Sequence, residues 1–282
     1  MTNNLKTSNN TQQINHPQRK SGEALILLHG ALADERMWEP HIEILTKDFN
    51  TISITQRHFG TSGESSAEGF GINTHADDLI NFLTKLDSGP THLAAWSYGA
   101  DVALNAAIKS PELIKSLFIY EPGYPGCLND QEMNEYMQDA EAMFGKVFQA
   151  VSEGELKEAA EFLIDRSGNA AGYFSAQSLA HRTQQLENAH TLPLQLSQTE
   201  QPTLDKTSLS GIQVPTTIAY GSDTRSLFKI VSRSVSAYIP NSNLIEISSA
   251  NHMLPLENPE QFSHLIKEHI SNLEHLLSCT KN

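Results

Sequence analysis

The chain has 282 residues, 39% of them hydrophobic and 18% charged, enough for one large α/β domain or a core domain carrying an insertion. Its 19 Lys and Arg stand against 33 Asp and Glu, a formal net charge of −14. That balance argues against a nucleic-acid surface and anionic membranes and would repel a polyanionic substrate, so it signals either solubility or a neutral or cationic small-molecule partner.

Residues 1–20 are rich in Asn, Gln, Thr and Ser and hold no apolar run of signal-peptide length, so they are expected to form a disordered leader. Cys127 and Cys279 lie far apart without metal-ligand spacing, which favours a reduced, cytoplasmic protein with no disulfide framework and no metal. Ala24 to Leu28 is a continuous apolar run ending in His29-Gly30, as in a strand buried on both faces. A loop at 31–36 leads through Met37-Trp38-Glu39-Pro40 into a helix to about Lys47. Thr51–Ile54 reads as a short strand, followed by the turn-rich stretch Gln56 to Gly63. Thr74 is expected to cap a helix whose apolar positions Leu79, Phe82, Leu83 and Leu86 recur at helical spacing, ended by Gly89-Pro90.

The stretch from His92 to Leu104 reads as a buried strand, an abrupt turn and a helix. At its centre Ala95-Trp96-Ser97-Tyr98-Gly99 has the small-x-Ser-x-Gly pattern of a nucleophile elbow, with Ala95 where glycine is usual. A serine on such a turn sits in strained backbone between small residues, and the following helix turns its free N–H groups and positive dipole end toward it. Leu117–Tyr120 is a further strand ending at Glu121-Pro122-Gly123. Alternation of strands and helices over 24–121 calls for a parallel sheet with helices on both faces, its strand C-termini on one ligand-binding edge. His29-Gly30, Ser97 and Glu121 fall on that edge.

From 122 to 207 the pattern is helical, over 130–151, 154–166 and 173–190, and is expected to form a lid inserted between core segments 21–121 and 208–282. Alternation resumes with a strand at Thr216–Tyr220, a helix over 226–238, a strand at Asn243–Ile247, and a last helix from Pro259 to about Leu277. Of the twelve histidines, His252 stands apart, because it lies in the loop after the last strand, where a general base can meet Ser97.

In this order and spacing, His29-Gly30, Arg57-x-x-Gly60-Thr61-Ser62, the Ser97 elbow and His252-Met253-x-Pro255-Leu256-x-Asn258-Pro259 resemble the α/β-hydrolase fold family over roughly residues 22–277. The family's leading β-hairpin is hard to find here. The resemblance implies the chain order nucleophile, acid, histidine. Most members carry the acid as Gly-x-x-Asp after the strand ending here at Tyr220-Gly221, yet Asp223 comes one place early and Thr224 takes the usual slot. Other members, lactone-hydrolysing ones among them, carry it one strand after the nucleophile, where this chain has Glu121. Both acids remain candidates, with Glu121 placed slightly ahead.

By the same resemblance the oxyanion hole would use the backbone amides of Ala31 and Tyr98, and no cofactor is implied. A serine at the elbow counts against the haloalkane dehalogenase and epoxide hydrolase branches, which use aspartate there. Trp38 and Trp96 are read as packing residues, and Arg57 and His58 as a solvated loop or an entrance lining. The expected function is hydrolysis of a carboxylic ester or lactone. Acyl transfer, carbon–carbon bond hydrolysis, perhydrolysis and a ligand receptor on the same scaffold stay open.

Overall fold

Apolar strands alternating with amphipathic helices are most stable side by side and parallel, with helices covering both faces. The structure is a computed structural model and describes residues 14–15, 22–61 and 69–279. Its sheet consists of β1 (Ile14–Asn15), β2 (Ala24–Leu28), β3 (Asn50–Ile54), β4 (Thr91–Trp96), β5 (Ile114–Tyr120), β6 (Thr216–Gly221) and β7 (Ser242–Ile247), in the order β1-β3-β2-β4-β5-β6-β7. The six strands β2 to β7 are parallel. β1 runs antiparallel along β3, with Ile14 opposite Ile54 and Asn15 opposite Ser53. The expected disordered leader thus contributes two residues to a sheet edge. Its remaining residues, and Ser62-Gly63 of the loop after β3, lie outside the described residues.

The helices are α1 (Glu39–Leu45), α2 (Ile72–Leu86), α3 (Tyr98–Lys109), α4 (Asp130–Glu153), α5 (Leu156–Ser167), α6 (Tyr173–Ala176), α7 (Leu179–Glu187), α8 (Leu192–Leu196), α9 (Lys206–Ser210), α10 (Ser226–Tyr238), α11 (Leu254–Glu257) and α12 (Pro259–Cys279). Strand side chains alternate between two cores. Ile26, Leu28, Ile52, Ala95 and Ile119 pack with Leu79, Leu83, Val102 and Leu104 of α2 and α3. Leu25, Leu27, Ala94, Phe118 and Tyr120 pack on the other face with Trp38, Leu45, Phe262 and Ile266. No helix among the described residues is long and apolar enough to cross a membrane.

Two helix boundaries differ from the sequence expectation. α2 begins at Ile72, not behind a Thr74 cap, because a distant carboxylate supplies the cap. Glu200 Oε2 accepts from the amides of Asn73 at 2.7 Å and Thr74 at 3.2 Å, and the Thr74 hydroxyl donates to its other oxygen. The single helix expected over 173–190 is divided between α6 and α7, where Ser178 accepts from His181 N at 3.2 Å and caps the second piece.

The helical segment is tied to the sheet edge at Asp34, which is 1% exposed. Its carboxylate accepts from Gln184 Nε2 at 2.6 Å and Asn188 Nδ2 at 2.8 Å, and Arg36 pairs with it at 2.7 Å. Asn188 Oδ1 in turn accepts from Gly60 N at 2.7 Å. Charge-assisted bonds to Arg36, Asn188 and Gln184 outweigh burial and hold this carboxyl at about 2.

Candidate active site

The turn from β4 to α3 puts Ser97 at φ 56°, ψ −125°, at the N-cap of α3. Two glycines permit this turn. A Cβ on Gly99 would stand 2.4 Å from His29 O, and one on Gly30 would stand 2.9 Å from Ser97 Cβ. Hence the loop after β2 and the start of α3 approach closely, and Ala31, Ser97 and Tyr98 come to line one cavity. Tyr98 opens α3, so its amide is among the helix's unsatisfied donors. His29 braces the loop: its Nδ1–H donates to Gly30 O at 2.8 Å, and its Nε2 accepts from Gln56 N at 3.0 Å. Burial lowers this imidazole to about 4, which keeps it neutral in that tautomer.

His252 lies 155 residues from Ser97 in the chain, and its Nε2 is 3.0 Å from Ser97 Oγ. Its Nδ1 is 2.6 Å from Glu121 Oε2. A carboxylate only accepts, so Nδ1 carries the proton and Nε2 is free to accept from the serine hydroxyl. Glu121 is fully buried just past the end of β5, with φ 49°. Its Oε1 accepts from Gly221 N and its Oε2 from Thr224 Oγ1, both at 2.8 Å. These donors satisfy a carboxylate that would be costly if left bare. Asp223, the other candidate acid, is exposed and does not meet His252. Its carboxylate accepts from Ser222 Oγ at 2.8 Å, while its amide is held by Ala250 O at 2.8 Å, which turns the side chain away.

Further neighbours hold the site in place. Phe228, in the first turn of α10, stacks flat on His252, with ring centroids 3.7 Å apart and 7° between planes. Trp96 Nε1 donates to His252 O at 2.9 Å, and Tyr120 Oη to Asn251 O at 2.6 Å, which fixes the histidine loop. Gly221 lets that loop pass, since a Cβ there would lie 2.0 Å from Ala250 O. Thr224 was legible only as the occupant of a slot where an acid was due. Trp38 is fully buried and packs against His41 and Phe262. Arg57 donates to Asp78 at 2.6 Å, and His58 is buried; neither lines the cavity.

Ser97 and His252 open into a cavity of about 340 Å³. Much of its wall comes from the helical segment: Met143, Phe144, Val147 and Phe148 of α4, Leu163 and Ile164 of α5, and Leu192 and Leu196 of α8. Among the lining residues there is no Lys or Arg, and Asp101 is the single carboxylate. Among the described residues no group of three His, Cys, Asp or Glu side chains could hold a metal ion.

Fold and site together define a class: a doubly covered parallel sheet with hydroxyl, imidazole and carboxylate aligned at its C-terminal rim, beside an apolar cavity. The model of the α/β hydrolase fold family matches residues 23–259, and the chain belongs to that family. A 2-(acetamidomethylene)succinate hydrolase of Mesorhizobium japonicum is 31% identical over 104 residues, which is 37% of either chain, so the match spans well under half of that relative. Carboxylesterase CesB of Bacillus subtilis superposes with a TM-score of 0.74 at 19% identity, over 96% of this chain and 91% of the other. Est816, described as an N-acyl homoserine lactone degrading enzyme, superposes with a TM-score of 0.73 at 18% identity, over 93% and 98%.

Proposed function

We propose that the chain is a cofactor-free serine hydrolase of carboxylic esters or lactones, with Ser97 as nucleophile, His252 as general base and Glu121 as the acid that orients it. The observation that carries this reading is the unbroken path from Ser97 Oγ to His252 at 3.0 Å and from His252 to Glu121 at 2.6 Å. In the first step Ser97 Oγ attacks the acyl carbon while its proton passes to His252 Nε2. Glu121 and the face of Phe228 stabilise the imidazolium that forms. The oxyanion rests on the Ala31 and Tyr98 amides, each worth about 3 kcal/mol in such a site. His252 then protonates the departing alkoxide. Water deprotonated by His252 cleaves the acyl-enzyme, releasing the acid and restoring Ser97.

The segment 122–207 acts as a lid or cap that sets substrate choice, since α4, α5 and α8 supply much of the apolar wall. A succinate dianion, of the kind named for the Mesorhizobium relative, would meet no Lys or Arg in this cavity. A neutral or cationic ester or lactone suits it better, in keeping with the ester and lactone chemistry named for CesB and Est816.

A fluorophosphonate probe should label the wild-type protein and fail to label Ser97→Ala. p-Nitrophenyl esters of increasing acyl length, run beside a lactone panel that includes macrolides, then rank substrates. An unlabelled wild type that still binds such compounds would make the protein a receptor on a hydrolase scaffold.

A further inference from the structure

Asp101 stands one helical turn beyond Ser97 on α3, lines the same cavity, and is 5% exposed. Its carboxylate accepts from Gly123 N at 3.2 Å and from Tyr124 N at 3.1 Å. No cation of the described residues is bonded to it or lines the cavity with it. Two neutral amides do not explain a charged group here, because an amide carbonyl would accept from both at far lower desolvation cost. Burial raises this carboxyl to about 7, the cost expected of an anion lacking its counter-charge. Tyr98, Tyr124 and Tyr136 line the same cavity beside it.

We propose that Asp101 is a cation-binding group of the substrate cavity, and that the substrate is an ester or lactone with a positively charged amine a few bonds from the acyl carbonyl. Asp101 supplies the negative partner, the tyrosines and apolar walls exclude water from the pair, and one turn of α3 sets the spacing between cation and Ser97. The net charge of −14 favours the approach of such a ligand. This inference rests on the hydrolase reading for its substrate class, but the cation site is testable apart from it.

The probes are p-nitrophenyl γ-(trimethylammonio)butyrate and its uncharged isostere, with carbon in place of the ammonium nitrogen. Wild type should prefer the cationic ester in kcat/KM, and Asp101→Asn, which keeps an acceptor for the two amides, should cut that ratio by about thirtyfold or more. An equal ratio in the two proteins, or no preference in wild type, would overturn the proposal. Calorimetry on Ser97→Ala with the methyl ester of γ-(trimethylammonio)butyrate reads the site without turnover. Binding that its uncharged isostere does not match supports the proposal, and equal or absent binding of the cation overturns it. Failure of either ester to react, with no fluorophosphonate labelling, would count against the hydrolase reading alone.

Discussion

In the proposed triad a single displaced carboxylate orients the imidazole. Thr224 occupies the position where an acid was due, and its hydroxyl donates to Glu121 Oε2, the same oxygen that His252 Nδ1 approaches to 2.6 Å. In Glu121→Gln the amide must keep its oxygen toward the Gly221 N–H, so its NH₂ faces His252 and enforces the wrong tautomer. The expected fall in kcat is about 10⁴-fold, whereas Asp223→Asn should change it by less than about twofold. The reverse ranking in steady-state assays would assign the acid to the other strand. Because Thr224 bonds to the same Glu121 oxygen that meets the imidazole, adding Thr224→Asp to Glu121→Ala should regain about tenfold or more of the lost kcat. No recovery would mean that residue 224 does not reach Nδ1.

Elements meet at this rim through close backbone contacts, and the glycines mark them. Gly221→Ala would drive a Cβ into Ala250 O at 2.0 Å and push the loop that carries His252. The expected cost is about 1–3 kcal/mol of stability, with a fall in kcat of about 10²-fold from misplacement of the imidazole. Gly145, exposed in the middle of α4 with no atom within 4 Å of an added Cβ, provides the contrast. Gly145→Ala should stabilise the protein by about 0.5–1 kcal/mol and raise its melting temperature. A Gly221→Ala protein that melts and turns over like wild type would show that the β6 end and the histidine loop are not in fixed contact. The helical segment is likewise anchored at one end by Asp34. Asp34→Ala removes the acceptor for Gln184 and Asn188, and should raise hydrogen exchange in α7 more than in α4.

For the molecule as a whole, buried histidines set the response to acid. Burial lowers His29 and His269 to about 4 and His41 and His75 to about 3, whereas the unfolded chain takes up these protons near 6.5. Groups with depressed folded values favour the unfolded state once it binds the proton, so their stabilisation is lost as pH falls from 6.5 toward 4. Burial raises Asp101 and Glu35 to about 7, which has the opposite sign: over that same window they stabilise the fold as pH falls. Four groups against two leave a net loss, at about 1.4 kcal/mol per pH unit for each net proton. Denaturant titrations should show stability falling from pH 6.5 to pH 4.5, and Asp101→Asn should steepen the fall. A flat profile would mean that these imidazoles reach solvent or partners when protonated.

Much of this architecture was legible from periodicity. Continuous apolar runs alternating with amphipathic helices suit a doubly covered parallel sheet, and Gly99, two residues after Ser97, marks a turn that tolerates no Cβ. The Pro-rich stretch after His252 and the helix from Pro259 followed from the same local rules. Local sequence could not decide between Glu121 and Asp223, because both follow strands that end on the same rim. Only the tertiary structure separates them: a hydrogen bond to Ala250 turns Asp223 outward, while Gly221 and Thr224 fold their donors over Glu121. The start of α2 departs from local expectation for a similar reason, since its cap comes from Glu200, over 120 residues away. Phe228 and Asp101 had no signature, one being an apolar position in an amphipathic helix and the other a polar residue in a helix's first turn. By itself the sequence determined which segments form strands and helices and which rim gathers reactive side chains, because those depend on neighbours along the chain. Which carboxylate meets the imidazole, and what lines the cavity beside it, depend on contacts between residues a hundred or more positions apart, and those exist only once the sheet has closed its order.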